Sequence, residues 1–306
     1  MEFFRKIQFT GRSSYIVSLP KGWIQEHGLK KGDSVILVVN PDGSLTIFPR
    51  GQKLRKEKKT LEISKDFSPD MAIRLAISAY IQGYDVIELR FPPEIPEYRI
   101  NVRKTLQSLP GLEIISEEPV RIIAKSLLDE KEISVEELLH RLSSILLAMF
   151  EDLELMKRSK NEELIRDIND LENELDRFYF LTLRAVNRLL SSRARLSPEE
   201  GIIRRNFDLL GVLFIVRNVE RIGDHITRIA ENFDEDVDVV YMKEKYDEMM
   251  IQIRERNLHK VDALMSELRE RVGQIDYRKS IAMESYRRIL EYIENIGETI
   301  INMAIS

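Results

Sequence analysis

The chain has 306 residues, of which 43% are hydrophobic and 32% charged, so it is long enough for two or three folded domains with real cores. The absence of cysteine excludes disulfide bonds, thiolate metal sites and cysteine nucleophiles. The N-terminus lacks the apolar segment of a signal peptide, and the apolar run 209–216 is far too short to span a bilayer. We therefore expect a cytoplasmic protein without membrane insertion.

Charge is unevenly distributed along the chain. Residues 1–59 contain twelve Lys and Arg against five Asp and Glu, a net charge of +7, whereas the whole chain carries −5 and residues 60–306 therefore −12. A basic segment on an acidic body is a pattern found where the basic part contacts nucleic acid. Ordinary variation of surface charge would give the same asymmetry, so charge alone does not decide the function.

The first part of the chain predicts a small β-rich domain over residues 1–50. Strands are expected at 15–19, 34–39 and 44–48, and a short helix at 23–27. The last two strands are joined by turn-forming residues, which predict a hairpin. The predicted order is therefore strands, a turn, a short helix and a final hairpin.

Short sequences within this domain resemble the AbrB/SpoVT swapped-hairpin family, which has the MazE antitoxin fold. The matching sequences are Arg5-Lys6-Ile7, Gly11-Arg12, Val17-Ser18-Leu19-Pro20, Leu29-Lys30-Lys31-Gly32-Asp33 and the final hairpin. The resemblance implies an interleaved homodimer formed through this domain. It also implies that basic side chains hold DNA phosphates and read groove shape. By position these are Arg5, Lys6, Arg12 and Lys21. A dimerisation clasp that does not bind DNA is the alternative.

A basic linker leads into residues 58–130, where strand and helix patterns alternate. Helices are predicted at 69–82, with Ser68 as N-cap, and at 97–109. Four short strands are predicted, at 60–64, 85–91, 112–116 and 120–125. No glycine-rich phosphate loop or nucleophile motif occurs in this region. We therefore expect a small α/β connector domain, with a small-molecule sensor as the alternative.

The rest of the chain, residues 134–306, has the apolar periodicity of helices almost throughout. Six long helices are predicted, at 134–158, 161–191, 199–233, 238–259, 260–277 and 280–305.

One stretch of the third of these helices, NVERIGDH at 218–225, breaks two local rules. Glu220 and Asp224 are four residues apart, so two like charges on one helix face repel each other. Gly223 lies mid-helix, which costs roughly 1 kcal/mol relative to alanine. Local rules tend to fail where function demands it, and a bound cation would make the carboxylate pair favourable. The stretch therefore predicts a functional site.

The second long helix carries a similar pair. Glu172 falls on a stripe of apolar residues spaced by sevens, and Asp176 follows four residues later. An unpaired charge at a core position is expensive, so either an arginine or a metal ion should compensate it. The available arginines are Arg166, Arg177, Arg217 and Arg221. Two such pairs on successive, packed helices favour the metal interpretation.

Residues 218–231 (NVERIGDHITRIAE) resemble the hallmark sequence of the PhoU family of phosphate-uptake regulators, and 292–305 (YIENIGETIINMAI) is a weaker copy. A tandem copy is far more specific than one match. The resemblance implies two three-helix bundles whose acidic motifs hold iron or zinc, and oxygen ligands also suit magnesium and calcium. The implied ligands are Glu172, Asp176, Glu220 and Asp224 in the first bundle and Asp262, Glu294 and Glu298 in the second. Leu258 stands where the second bundle needs its first acid, so that set is incomplete.

Taken together, these features predict a multidomain α+β protein. It has a β-rich swapped-hairpin head, a small α/β connector and an all-α, PhoU-like body of two three-helix bundles. By analogy with these families we expect a DNA-binding regulator of phosphate uptake or phosphate signalling that restrains phosphate transport or its genes, with a phosphate-transporter component as a further partner.

Two alternatives belong to other classes of protein. The first is a metal-dependent phosphate-ester hydrolase, which needs an open coordination position and a base beside it. No histidine pair or nucleophile in the sequence is placed to serve, so we expect no enzymatic activity. The second alternative is a dimeric adaptor of a phosphate transporter that does not bind DNA.

Overall fold

The structure, a computed structural model, describes residues 2–11, 14–39, 43–49, 58–129, 133–191 and 201–305. The chain forms two compact units, Met1–Lys56 and Glu57–Ser306.

The first unit consists of two antiparallel hairpins and one short helix. Its elements are β1 (Gln8–Thr10), β2 (Ser14–Ile16), α1 (Lys21–Glu26), β3 (Val35–Val39) and β4 (Leu45–Pro49). The strand predicted at 15–19 ends at Ile16, because Ile16 pairs with Gln8, the first residue of β1. The helix and the final hairpin are confirmed.

No residue that the structure describes in this unit is buried. Apolar side chains on its strands and on the segment before them are more than half exposed: Ile7, Phe9, Tyr15, Leu37 and Val39. A single copy of this unit therefore has no hydrophobic core among its described residues. Exposed apolar surface of this kind marks a site of association.

The second unit begins with a two-layer α/β region. Its elements are β5 (Lys58–Glu62), α2 (Pro69–Ile81), β6 (Val86–Arg90), α3 (Pro96–Ser108), β7 (Leu112–Glu118) and β8 (Arg121–Ser126). The sheet order is β5-β6-β8-β7, parallel between β5 and β6 and antiparallel elsewhere. Both helices pack on one face of the sheet around buried Tyr80, Ile87 and Leu106. Ser68 caps α2 by accepting a hydrogen bond from the Met71 amide, as predicted.

Six long helices form the rest of this unit, and all six were predicted. They are α4 (Val135–Ser159), α5 (Glu163–Ser191), α6 (Asn206–Glu231), α7 (Val239–Glu255), α8 (Leu258–Gln274) and α9 (Ile281–Ile305). Helices α4, α5 and α6 pack together, as do α7, α8 and α9. Helices α6 and α9 also pack against each other, so the two bundles share one hydrophobic core.

Two helix boundaries differ from the prediction for local reasons. Helix α6 begins at Asn206, because the amides of Arg204 and Arg205 donate hydrogen bonds to Asp208 Oδ2 at its start; the predicted start at 199 lies outside the described residues. Helix α7 ends at Glu255 because Arg256 adopts a left-handed conformation, with φ +52°. The break separates α7 from α8.

The α/β region is joined to the helical body through α5. The guanidinium of Arg184 is buried; its Nη1 donates to the carbonyl of Tyr80 at 2.6 Å and its Nη2 to that of Gly83 at 3.3 Å. These carbonyls lie at the C-terminal end of α2, where a cation is favourable. Phe180 packs against the cores of both parts. Helix α5 therefore contacts both the α/β region and the first bundle.

Candidate metal centre and nucleic-acid interface

The glycines of the repeated sequence are points of close helix approach. A Cβ atom on Gly223 of α6 would lie 2.4 Å from Leu175 Cδ2 of α5. A Cβ atom on Gly297 of α9 would lie 2.9 Å from Met265 Cγ of α8. Real Cβ contacts are essentially never so short, so a side chain at either position requires Leu175 or Met265 to move, which the dense packing around these buried side chains opposes. In both bundles the glycine of the third helix leaves room for a buried side chain of the second.

The variant Gly223→Ala is expected to lower the free energy of unfolding by about 1–2 kcal/mol, because overpacking against Leu175 outweighs the gain in helix propensity. Gly273→Ala is the matched control: a Cβ atom there meets nothing within 4 Å among the described residues. It should leave stability unchanged or raise it by up to about 1 kcal/mol. Urea unfolding followed by helical circular dichroism measures both, and equal effects would contradict the close-approach argument.

This approach brings four carboxylates together, Glu172 and Asp176 from α5 and Glu220 and Asp224 from α6. The first three are half-buried, and Asp224 lies at the exposed edge. The structure thus groups the four acids predicted for the first bundle. Because the acids are partly desolvated, the charges of neighbouring carboxylates add to the raised pKa values of Glu172, Asp176 and Glu220.

Three of these pKa values are displaced toward neutrality. Burial raises the pKa of Glu172 to about 7, and the charges of Asp176, Asp224 and Glu220 add to the shift. Burial and the charge of Asp224 raise the pKa of Asp176 to about 6. Burial and Asp224 raise the pKa of Glu220 to about 7, although the Arg217 guanidinium opposes the shift. Partial burial also raises the pKa of Asp224, against the effect of Arg228.

Among the described residues, an arginine ion pair compensates one of the four acids. Arg217 Nη1 lies 3.1 Å from Glu220 Oε1, whereas Arg221 donates to the Tyr292 hydroxyl of α9 at 3.2 Å. The other Glu220 oxygen, Oε2, is buried and has no hydrogen-bond partner among the described residues. Glu172, Asp176 and Asp224 form no ion pair with any residue that the structure describes.

The donor set fits a metal ion by its chemistry. Arg217 forms an ion pair within the cluster, and Arg221 and Arg228 act on its acids without an ion pair, so the four carboxylates still outnumber the nearby arginines and a cation would offset the excess negative charge. All donors are oxygens, the ligands of magnesium, calcium and manganese and of carboxylate-bound iron. In the arrangement that the structure describes, no three acidic or histidine side chains are close enough to hold an ion. The four acids would therefore have to draw together around it.

The acids of the second bundle are arranged differently. Glu294 forms an ion pair with Arg269 of α8, so its charge is already compensated. Asp262 and Glu298 are exposed, and the described residues contain no group of three acids there that could hold an ion. Leu258, at the start of α8, is 41% exposed. The three ligands predicted for the second bundle therefore do not come together in the structure.

A further carboxyl pair was missed by the sequence analysis. Burial raises the pKa of Asp152 of α4, and the neighbouring carboxyl group of Asp167 of α5 adds to the shift. The two residues lie on different helices and outside any repeated motif. The available signal was the position of Asp152 beside buried Leu153 and three residues after buried Met149.

The predicted nucleic-acid contacts belong to the first unit. Arg5 is exposed, donates to the Phe4 carbonyl at 2.9 Å and lies over the Phe3 ring. Lys6 and Lys21 are exposed and make no ion pair with any described residue. Arg12 lies outside the described residues.

Two family models match the chain. Residues 8–55 match the model described as antidote-toxin recognition MazE, bacterial antitoxin, and residues 139–233 match the PhoU domain. Both resemblances inferred from the sequence are confirmed, as is the multidomain α+β class. The second match spans α4, α5 and α6 and so includes all four clustered carboxylates. A comparison with curated proteins finds no match. Among the described residues, no helix is long and apolar enough to cross a membrane.

Proposed function

We propose that this chain, in which a MazE-type domain precedes a PhoU domain, is a DNA-binding regulator of phosphate homeostasis whose helical body binds a metal ion. PhoU domains belong to a regulatory family, and by analogy the protein restrains phosphate transport or its genes, with a transporter component as a further partner. Two observations carry the proposal. The described residues of the N-terminal domain include no buried side chain, and the helical body brings four carboxylates together with too few arginines to balance their charge.

The head pairs with a second copy of itself. Its apolar strand residues are exposed in the single chain, and interleaving two copies would cover them. Its basic side chains then hold DNA phosphates. Support comes from Arg5, Lys6 and Lys21, which are exposed in the described part of the head. Arg12 enters the proposal from the sequence alone.

The body binds its metal ion through Glu172, Asp176, Glu220 and Asp224. When bound, the ion supplies positive charge that compensates the repulsion between α5 and α6. The chain's own contribution is to hold Glu172, Asp176 and Glu220 half-buried, while Gly223 leaves room for Leu175 between the two helices and Arg217 compensates one charge. Support comes from the raised pKa values and from the unpartnered Oε2 atom of Glu220.

Elemental analysis tests the metal site. The purified full chain should contain metal, and Glu172→Gln with Glu220→Gln should lose most of it, because the amides keep the side-chain size but not the charge. The control is Asp262→Asn with Glu298→Gln, which removes two acids that share no site in the described residues. If the unaltered protein contains no metal, or if both variants lose it equally, these four acids are not the metal ligands.

Salt-dependent binding to duplex DNA tests the head. Replacing Arg5, Lys6 and Lys21 by glutamine should weaken binding and reduce the slope of log K against log salt by about 0.9 for each phosphate that is no longer neutralised. A control that replaces exposed Lys65, Arg74 and Lys104 by glutamine removes the same charge from the second unit and should leave the slope unchanged. An unaltered protein that does not bind DNA would favour the adaptor alternative.

A further inference from the structure

One narrow face of α6 is exposed along most of the helix. Between residues 207 and 230, every exposed side chain lies on a stripe that advances in alternating steps of three and four residues: Phe207, Leu210, Phe214, Arg217, Arg221, Asp224 and Arg228. All other side chains in that range are buried or half-buried. This spacing is the one with which a helix presents a seam to another helix. We call the stripe the α6 seam.

The first half of the α6 seam is apolar although it is exposed. Phe207 is 44%, Leu210 41% and Phe214 62% exposed. The solvent-facing side of a helix is normally polar, and apolar residues at a protein surface are normally scattered singly. Three large apolar side chains within two consecutive turns therefore mark a surface for association.

The second half of the α6 seam is basic. Arg221 and Arg228 form no ion pair with any described residue, and Arg221 donates instead to the Tyr292 hydroxyl. Arg228 lines a depression of about 760 Å³ together with Arg278, which also lacks an ion pair in the described part of the chain. Against these three arginines the seam itself presents one acid, Asp224. Guanidinium groups without a counter-charge are strong binding groups for the carboxylates of a partner.

The two halves together are complementary to a helix that is apolar at one end and acidic at the other. Residues 207–228 extend over about 30 Å of helix, which corresponds to three heptads of a partner helix. If the partner packs antiparallel to α6, its acidic half is its N-terminal half. Carboxylates at that end also interact favourably with the dipole of their own helix. Antiparallel packing therefore satisfies both helices.

Two other occupants fit the α6 seam less well. In a parallel pair of two copies, each arginine of the seam would meet its own counterpart. In an antiparallel pair centred on Leu210, Arg217 of one copy would approach the exposed Arg204 position of the other. Both arrangements place like charges together, which is costly at an interface. An anionic membrane would be repelled by the body, because residues 60–306 carry a net charge of −12.

The four-carboxylate cluster lies beside the α6 seam and weakens its positive field. Asp224 belongs to both, Arg221 acts on the charge of Glu220, and Arg228 acts on that of Asp224. Once the charges of these acids are offset by a cation, as proposed above, the two arginines are available to a partner. In this respect the inference rests on the proposed function, whereas the apolar contact does not.

We propose that the α6 seam binds an amphipathic helix of a partner protein, packed antiparallel to α6. The apolar half of that helix covers Phe207, Leu210 and Phe214, and its acidic half pairs with Arg221 and Arg228. Removal of negative charge from the four-carboxylate cluster, by a metal ion or by substitution, strengthens the contact.

Fluorescence anisotropy with a designed peptide tests the apolar half. The probe is a helical peptide of about 21 residues, with glutamate at the seam-facing positions of its N-terminal half and leucine at those of its C-terminal half. Binding to the full chain should weaken by at least about tenfold in Leu210→Ser with Phe214→Ser, because two apolar contacts are lost. The matched control is Leu155→Ser with Ile251→Ser, which removes two half-exposed apolar residues from α4 and α7 and should leave the affinity unchanged. Circular dichroism verifies that each variant is folded.

The charges of the cluster and of the peptide test the basic half. At pH 8 and low salt, Glu172→Gln with Glu220→Gln should bind the acidic peptide about two- to fivefold more tightly than the metal-free unaltered protein, because two nearby negative charges are removed. In that variant, a peptide with lysine in place of glutamate should bind at least about fivefold more weakly than the acidic one. Added manganese(II) should strengthen binding to the unaltered protein and not to the variant.

These experiments separate the α6 seam from the metal site and from other occupants. If the glutamine variant binds the acidic peptide more tightly but manganese(II) has no effect on the unaltered protein, the seam is upheld and the metal site is contradicted. Absence of peptide binding, equal weakening by both serine variants, or equal binding of both peptides would overturn the proposal. A lower mass of Leu210→Ser with Phe214→Ser in sedimentation would assign the seam to a second copy. Binding to phosphatidylglycerol vesicles that this variant loses would assign it to a membrane surface.

Discussion

The variant Arg256→Ala is expected to destabilise the protein by about 3–5 kcal/mol, because it leaves a buried carboxylate without its counter-charge. Arg256 Nη2 lies 3.0 Å from Asp208 Oδ2, and the Asp208 side chain is fully buried. The same guanidinium donates to the carbonyls of Met303 at 2.6 Å and Ile202 at 2.7 Å. One side chain therefore ties the start of α6 and the ends of α7 and α9 together.

Urea unfolding measures this effect, and Arg254→Ala is the matched control. Arg254 is exposed two residues earlier on the same helix, so its loss should change stability by no more than about 0.5 kcal/mol. Combining Arg256→Met with Asp208→Asn removes both charges and should recover part of the loss, because no buried charge remains. If Arg256→Ala proved as mild as Arg254→Ala, the junction would not depend on this ion pair.

The metal-free protein is expected to lose stability as the pH rises from about 5.5 to 8. Glu172, Asp176 and Glu220 have folded-state pKa values of about 7, 6 and 7, above the ordinary 4.5, 3.8 and 4.5. Between the ordinary and the raised values the folded state binds more protons than the unfolded state, so the free energy of unfolding falls as pH increases. After allowance for solvent screening, the expected loss is of the order of 1–3 kcal/mol.

Thermal unfolding of chelator-treated protein at several pH values checks this, since each kcal/mol corresponds to about 2–4 °C. The variant Glu172→Gln with Glu220→Gln should flatten the dependence, and added metal should do the same by stabilising the charged acids. Lys279 lowers the pKa of Asp234 to about 2, so the stabilising contribution of Asp234 is lost only as the pH falls below its ordinary pKa. Asp234 is unchanged in the variant, so it does not affect the comparison. Identical slopes for the variant and the unaltered protein would contradict the mutual repulsion of the four acids.

Local sequence was sufficient for the elements and for part of the site. All six long helices follow from apolar periodicity, and the cap of α2 follows from Ser68. Gly223 between Glu220 and Asp224 could be recognised as unfavourable in a helix from the sequence, because helix propensity and i,i+4 repulsion depend only on residues nearby in the chain. Gly297 occupies the position of Gly223 in the repeated sequence, and in the structure a Cβ atom on either glycine would meet a side chain of the neighbouring helix at less than 3 Å.

Only the tertiary structure decided which charges meet. Arg217 and Arg221 looked equivalent in sequence, yet one pairs with Glu220 and the other reaches Tyr292 of α9. Glu294 repeats Glu220 but is compensated by Arg269 from another helix. The start of α6 likewise depends on Asp208, whose partner Arg256 lies 48 positions away. These pairings depend on how the helices pack and on which side chains are desolvated, and local sequence determines neither.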